Sequence, residues 1–278
     1  MGFETAPIST SLIFAPREVQ NLENMTVNPF FQRLTLLTGP EAAAALEKCK
    51  VTVVGLGGVG SWAAEALVRS GIGHITLIDP DKVRPSNINR QVPATSSTIG
   101  RLKVDVLEEH LKDVNPSCEV RAFPHVFSKE TAGCFDIPMA DYIIDAIDSL
   151  KCKLDLIEAA IGAGKVFFSS MGMARKLDPT LIRTADIWKT SGCPLARDVR
   201  QGLRKRGIYH HFTAVYSPEQ VHEWQGPALT EDQEEGEVTD KEKLKVLGSA
   251  VTVTAAAGMV LASLVIQDVC MRQVIHSG

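Results

Sequence analysis

The sequence predicts a doubly wound α/β fold on a mostly parallel sheet, and three observations lead there. Short apolar, β-branched runs alternate with helical patterns between residues 50 and 146. The runs are continuously apolar, as strands covered on both faces require. A glycine-rich turn, Gly55-Leu56-Gly57-Gly58-Val59-Gly60, joins the first run to the first helical pattern. Such alternation closes as parallel strands with helices on both faces. With 45% apolar and 22% charged residues over 278 positions, the chain has the make-up of an ordinary globule and can bury a real core.

Taken in order, residues 51–54, 74–78, 119–122 and 142–146 read as strands, and 61–69, 101–113 and 150–161 as helices. A more irregular C-terminal half follows, with a strand at 165–169, helical character at 193–206 and a strand at 212–216. Residues 225–245 carry seven acids against three lysines, which predicts a mobile surface loop. Residues 246–267 hold no charge and are long enough to span a bilayer. Yet Gly248, Ser249, Thr252, Thr254 and Gly258, with alanines between them, suit tight helix packing. A buried or interface helix is the favoured reading of this apolar C-terminal segment, and membrane contact is the alternative.

The N-terminus lacks a basic stretch followed by an apolar one, so no secretory signal is read. Six cysteines stand at 49, 118, 134, 152, 193 and 270. Their wide spacing excludes CxxC zinc knuckles and redox pairs and suggests a reducing, cytoplasmic setting. A net charge of −4 rules out whole-molecule attraction to nucleic acid; any such contact needs a local basic patch.

Gly55, Gly57, Gly58 and Gly60 let a backbone approach a polyphosphate, which the following helix start attracts. Asp79 closes the second strand, where a carboxylate can accept ribose hydroxyls. A nicotinamide enzyme would carry the same pair. The residues after Asp79 break the tie: Ser86-Asn87-Ile88-Asn89-Arg90-Gln91, then Gly100-Arg101-Leu102-Lys103, then Asp145-Ala146-Ile147-Asp148-Ser149. Two cations and a carboxylate at a strand end suit a triphosphate with magnesium better than a dinucleotide.

These residues resemble the ATP motif of the ubiquitin-activating-enzyme superfamily of adenylating enzymes, a Rossmann-like fold. The resemblance implies that Asp79 binds ribose and that Asn87, Arg90 and Lys103 contact the phosphates of ATP. It also implies that Asp148 ligates Mg2+ with Ser149 beside it, and that Arg33 serves a partner subunit's site, as in a homodimer. Within the superfamily, Trp62 after the glycine turn, and Asp178-Pro179 leading to Asp186-Ile187-Trp188-Lys189-Thr190, are similar to the tRNA threonylcarbamoyladenosine dehydratase branch. That branch cyclises a tRNA base through a carboxylate adenylate. On this reading residues 1–27 are a flexible extension and 28–278 one adenylating domain. Its ATP-binding half is 28–170, and its substrate, tRNA and dimer half is 171–278.

Alternatives stay open on the residues alone: an activator of a ubiquitin-like or sulfur-carrier protein, a nicotinamide oxidoreductase, or a binding protein that kept the fold. Residues 183–206 hold seven cations against two carboxylates and are the segment best suited to touch tRNA, with Arg197, Arg200 and Arg204 on one helix face. Cys193, ahead of Pro194, could be a nucleophile at a helix start. A small residue at a helix start is the favoured reading, and Cys193 is not counted as catalytic.

Overall fold

The structure is a computed structural model that describes residues 28–221 and 247–276. The expected extension over 1–27 and the expected acidic loop over 225–245 lie outside the described residues. Two short helices come first, α1 (Gln32–Thr38) and α2 (Pro40–Lys48). Gly39 turns the chain between them at φ +87°, and Pro40 opens α2 where a missing N–H removes no helical bond. The alternating unit follows as β1 (Lys50–Val54), α3 (Gly60–Arg69), β2 (His74–Ile78), α4 (Lys103–Val114) and β3 (Glu119–Phe123). Then come β4 (Tyr142–Asp145), α5 (Leu150–Gly162) and β5 (Val166–Ser170). The second half adds β6 (Arg183–Asp186), α6 (Pro194–Lys205), β7 (Thr213–Tyr216) and α7 (Val251–His276).

Seven strands form one sheet in the order β3-β2-β1-β4-β5-β7-β6. All neighbours run parallel except β6, which is antiparallel to β7. From β1 the chain builds outward through β2 and β3, then returns to the other side of β1 for β4. Loops leaving β1 and β4 therefore diverge, and a crevice opens at their carboxyl ends.

Each face of the sheet has its own core. Leu67, Ile75, Leu107, Leu111 and Leu261 pack on the face covered by α3, α4 and α7. Ile143, Leu156, Ile157, Val199 and Leu203 pack on the face covered by α5 and α6. Fully burying one such side chain is worth about 1.5–3 kcal/mol over leaving it exposed.

The apolar C-terminal helix belongs to this core. Val253, Ala257, Leu261, Val265 and Val269 recur every four residues and are buried, with α3 the main neighbour of α7. A Cβ on Gly258 would stand 2.5 Å from the Val59 carbonyl oxygen and 2.9 Å from the Ala63 nitrogen, so only glycine allows this approach. Length and composition would also let 251–273 cross a membrane. In this fold its buried stripe answers to protein, and its small residues sit where helix meets helix.

The structure departs from the expected elements in three places. Helices α1 and α2 were not expected, although Pro40-Glu41 at one end and Lys48 at the other of an alanine-rich run suit a helix. Strand β6 is a four-residue edge strand with polar, half-exposed residues, so no apolar run announces it. Helix α7 continues to His276, past the expected end at 267.

Candidate active site

The glycine turn sits at the crevice. Gly55, at φ +89°, lies against the exit of β4; a Cβ there would be 2.7 Å from the Ala146 carbonyl oxygen. A Cβ on Gly60 would come within 1.8 Å of the Gly55 carbonyl, so the turn into α3 excludes any side chain. Gly57 is open, with the Gln91 amide 3.9 Å from a built Cβ as its nearest neighbour. Gly58 is roofed by the side chains of Thr254 and Arg90. A glycine-rich turn that is open at Gly57 and leads into a helix N-terminus is a cradle for anions.

Asp79 closes one wall. Its Oδ2 accepts the Leu56 amide at 2.6 Å and its Oδ1 accepts the Asp81 amide at 2.9 Å. The carboxylate is thus bolted to the glycine turn. Burial pushes its pKa up, while the Lys103 ammonium and the two amides pull the other way. Lys103, expected to contact the phosphates, is buried at the first turn of α4. Its Nζ donates to Asp81 Oδ2 at 2.8 Å and stands 3.9 Å from Asp79 Oδ1. A buried ammonium with an exposed carboxylate as its close partner can turn to a phosphate by exchanging one anion for another.

The segment carrying Asn87 and Arg90 is braced from three sides. Asn87 is buried, and its Oδ1 accepts the Arg84 amide at 3.1 Å. Trp62 Nε1 donates to the Arg90 carbonyl at 3.0 Å, and Asn89 Nδ2 donates to the Ser249 carbonyl at 2.9 Å ahead of α7. The Arg90 guanidinium donates to the Ser86 carbonyl and to Asn89 Oδ1, so its direction is held locally. Gln91 is buried beside Gly57, and its Oε1 has no hydrogen-bond partner among the described residues. Reading the motif as a string did not single out Gln91; its orphaned oxygen becomes visible only in the packed site.

Asp148 and Ser149 follow β4 and are exposed. The Asp148 carboxylate makes no hydrogen bond or ion pair among the described residues, and Ser149 occupies the N-cap position of α5. Beneath them lies a cluster that sequence reading missed. Asp145 is fully buried; its Oδ2 accepts Lys153 Nζ at 2.7 Å and Ser169 Oγ at 2.6 Å, and its Oδ1 accepts the Ile147 amide at 3.1 Å. Lys153 Nζ also donates to the Ser170 carbonyl at 2.9 Å. This bolt fixes the turn that presents Asp148. A lysine in the second turn of a helix, eight residues after a strand-ending aspartate, was its only signal.

Arg33 is not brought to these residues within the chain. It is exposed on α1, just after Phe31, whose ring packs against Gly71 in the loop entering β2. That loop is at the amino ends of the parallel strands, across the sheet from Asp148.

The basic stretch 183–206 divides into β6 and α6, and its cations differ in use. Arg200 is half-buried, donating to the Ile187 and Thr190 carbonyls and to the Thr190 hydroxyl. Of the three arginines expected on one face of α6, Arg200 therefore holds the loop before the helix. Arg206 pairs with Asp155 and Glu158, and Arg197 with Asp198. Cys193 is buried at the N-cap of α6 with its Sγ 3.8 Å from the Gly172 carbonyl oxygen, the place of a small packing residue.

A glycine cradle, a carboxylate bolted to it and a buried lysine, at the point where strand order reverses, define a nucleotide-binding α/β enzyme. The ThiF family model matches residues 31–275, and the chain belongs to the ThiF family. It is 38% identical over 243 residues to the tRNA threonylcarbamoyladenosine dehydratase of Bacillus subtilis, covering 86% of this chain and 93% of that protein. It is 46% identical over 167 residues to the Haemophilus influenzae enzyme of the same name, covering 60% of this chain and 64% of that one. The fold is similar to the Escherichia coli tRNA N6-threonylcarbamoyladenosine dehydratase solved in complex with ATP. There the TM-score is 0.76 at 31% identity, over 89% of this chain and 96% of that one.

Proposed function

We propose that the chain is an ATP-dependent tRNA threonylcarbamoyladenosine dehydratase. The carrying observation is the near full-length likeness to the Bacillus subtilis enzyme, 93% of which is covered. The threonyl carboxylate of the modified base attacks the α-phosphorus of ATP, and pyrophosphate leaves. A nitrogen of the same modification then attacks the activated carbonyl carbon; the ring closes and AMP departs with the carboxylate oxygen. The net change is loss of one water, driven by ATP.

In this reading Gly55, Gly57, Gly58 and Gly60 shape the phosphate cradle, and Asp79 accepts the ribose hydroxyls. Lys103, Arg90 and Asn87 hold the phosphates, and Lys103 and Arg90 stabilise the charge that builds on pyrophosphate. Asp148 is the residue that holds Mg2+, with Ser149 adjoining. Its carboxylate, exposed and without a partner among the described residues, fits that ion, which is usually held by one or two carboxylates together with substrate phosphates. Magnesium, when bound, neutralises phosphate charge during the transfer.

The chain acts as a homodimer in which Arg33 completes the partner's ATP site. Two facts support this. Arg33 lies across the sheet from its own crevice, and α1 exposes Leu36 and Leu37, each at 70%, with Phe30 at 67% just before it. A cytoplasmic setting agrees with all six cysteines being free thiols.

Incubation with ATP, magnesium and tRNA carrying threonylcarbamoyladenosine, followed by nucleoside mass spectrometry, tests the reaction. Loss of one water is expected. An unchanged nucleoside, with adenylation of a carrier-protein C-terminus instead, would transfer the chain to the carrier-activating branch. For the dimer, Arg33→Ala and Asp148→Ala chains are each expected to be inactive and to rescue one another when mixed. With free exchange about a quarter of wild-type activity is the ceiling, since about half the dimers carry one intact site. No rescue after verified exchange refutes delivery in trans.

A further inference from the structure

We infer that a cation–aromatic stack at the β6 edge of the sheet is a second contact for the tRNA, remote from the nucleotide that reacts; this rests on the dehydratase reading. The Arg204 guanidinium lies over the Trp188 ring at 5.2 Å, and the Trp188 and Tyr209 rings stack at 6.2 Å with 24° between their planes. Trp188 Nε1 donates to the His210 carbonyl at 3.1 Å, and its backbone amide donates to Asp186 Oδ1 at 2.9 Å, so the platform is rigid. Tyr209 is nonetheless 66% exposed, far more than a ring placed for packing would be.

The charges around the stack select the partner. Asp186 is engaged by His211, Asp198 by Arg197, and Asp155 and Glu158 by Arg206. Arg183, Lys189 and Lys205 are exposed and make no ion pair among the described residues. An exposed aromatic ring, Tyr209, backed by Trp188 and set among uncommitted cations is what unpaired bases and phosphates bind, because every base has a face to stack and every linkage a charge. A protein partner would need an acidic, aromatic-matching face, and no feature of the patch calls for one over a nucleic acid.

Position supports the same partner. Arg183 pairs in register with Tyr216, at the carboxyl end of β7, and Asp186 with Thr213 at its amino end. Strand β6 therefore runs from the crevice end of the sheet to the opposite edge, with Arg183 at one end and the Trp188–Tyr209 platform beyond the other. It is the outermost strand, and among the described residues Arg183 and Thr184 on it are exposed. The platform is at least a strand length from Asp148, about 13 Å. A tRNA reaches both places at once; a nucleotide does not.

Filter retention of tRNA carrying threonylcarbamoyladenosine by the full chain, over a range of salt, tests this. Tyr209→Ala is expected to weaken binding about tenfold or more, the loss of one stacked base, while Tyr209→Phe keeps the ring and binds like the wild type. Lys189→Ala and Lys205→Ala should each lower the salt slope by about one. ATP affinity stays unchanged in all four variants. A wild type that binds tRNA beside a Tyr209→Ala variant of equal affinity overturns this surface alone. A wild type that binds no tRNA at low salt overturns the dehydratase reading and this surface with it.

Discussion

Two buried aspartate–lysine pairs flank β1, built from equivalent parts and used differently. On one side Asp79 ends the β2 stretch and Lys103 opens α4; on the other Asp145 ends β4 and Lys153 lies in α5. At the Asp145 pair every close polar atom is consumed: Lys153, Ser169 and the Ile147 amide take the carboxylate, and the ammonium and carboxylate are both fully buried. At the Asp79 pair the lysine leans 2.8 Å from Asp81, whose side chain is 58% exposed, and is 3.9 Å from Asp79. The difference teaches how one motif serves as bolt or as site. A charge pair closed on all sides can only hold structure, whereas one whose partner faces water can trade that partner for a ligand.

The largest effects should fall on turnover, at Asp148, which the closed pair presents, and at Lys103 in the open pair. Asp148→Ala is expected to cost several kcal/mol of barrier, roughly a thousandfold or more in rate, with the fold intact. Lys103→Ala should slow turnover by roughly a hundred- to a thousandfold through lost phosphate charge. Pyrophosphate exchange measures both, and near-normal exchange in either would break the assignment of that residue.

The closed side should answer in stability. Lys153→Ala leaves a buried carboxylate uncompensated and is expected to cost about 3–5 kcal/mol. Adding Asp145→Asn should restore part of that loss, because the stranded charge is removed with its partner. Denaturant titration measures the cycle; equal, additive losses would mean that the two groups do not interact.

A smaller effect tests the sign at Asp79. Burial raises its folded pKa above the unfolded value near 3.8, so in that range the native state holds the proton longer than the unfolded chain. Stability contributed by the neutral form is present below the unfolded pKa and is lost as pH rises through the folded one. Asp79→Asn should flatten this acid-side decline in a series of melts. A steeper decline would show that Lys103 and the amides outweigh burial. Smallest of all, Asp81→Asn should change stability by less than about 1 kcal/mol, since the Asp81 side chain is 58% exposed and Asp79 remains 3.9 Å from the Lys103 ammonium.

Legibility followed the same division. Gly55–Gly60 and Asp79 could be read because continuous apolar strands and a glycine-rich turn leave a strong local pattern. Lys103 was found by its place in a motif, but its burial was not, since a lysine at a helix start looks like surface. Lys153 went unread because nothing beside it in the chain reveals that Asp145 and Ser169 meet it across β4 and β5. The internal use of Arg200 was not legible, because the Thr190 loop that it holds returns to it only in the folded chain. Strand β6 escaped because an edge strand needs no apolar run.

The sequence by itself determined the doubly wound class, the glycine turn with its carboxylate, and most element boundaries to within two residues. These rest on backbone sterics and on periodicities of two to four residues, which act locally. Tertiary structure alone decided which charges are buried, which cations are spent internally, and that α7 rests on the glycine turn through Gly258 and Thr254. Those outcomes depend on groups far apart in the chain coming within a few ångströms, where desolvation and close packing, rather than local propensity, set the energy.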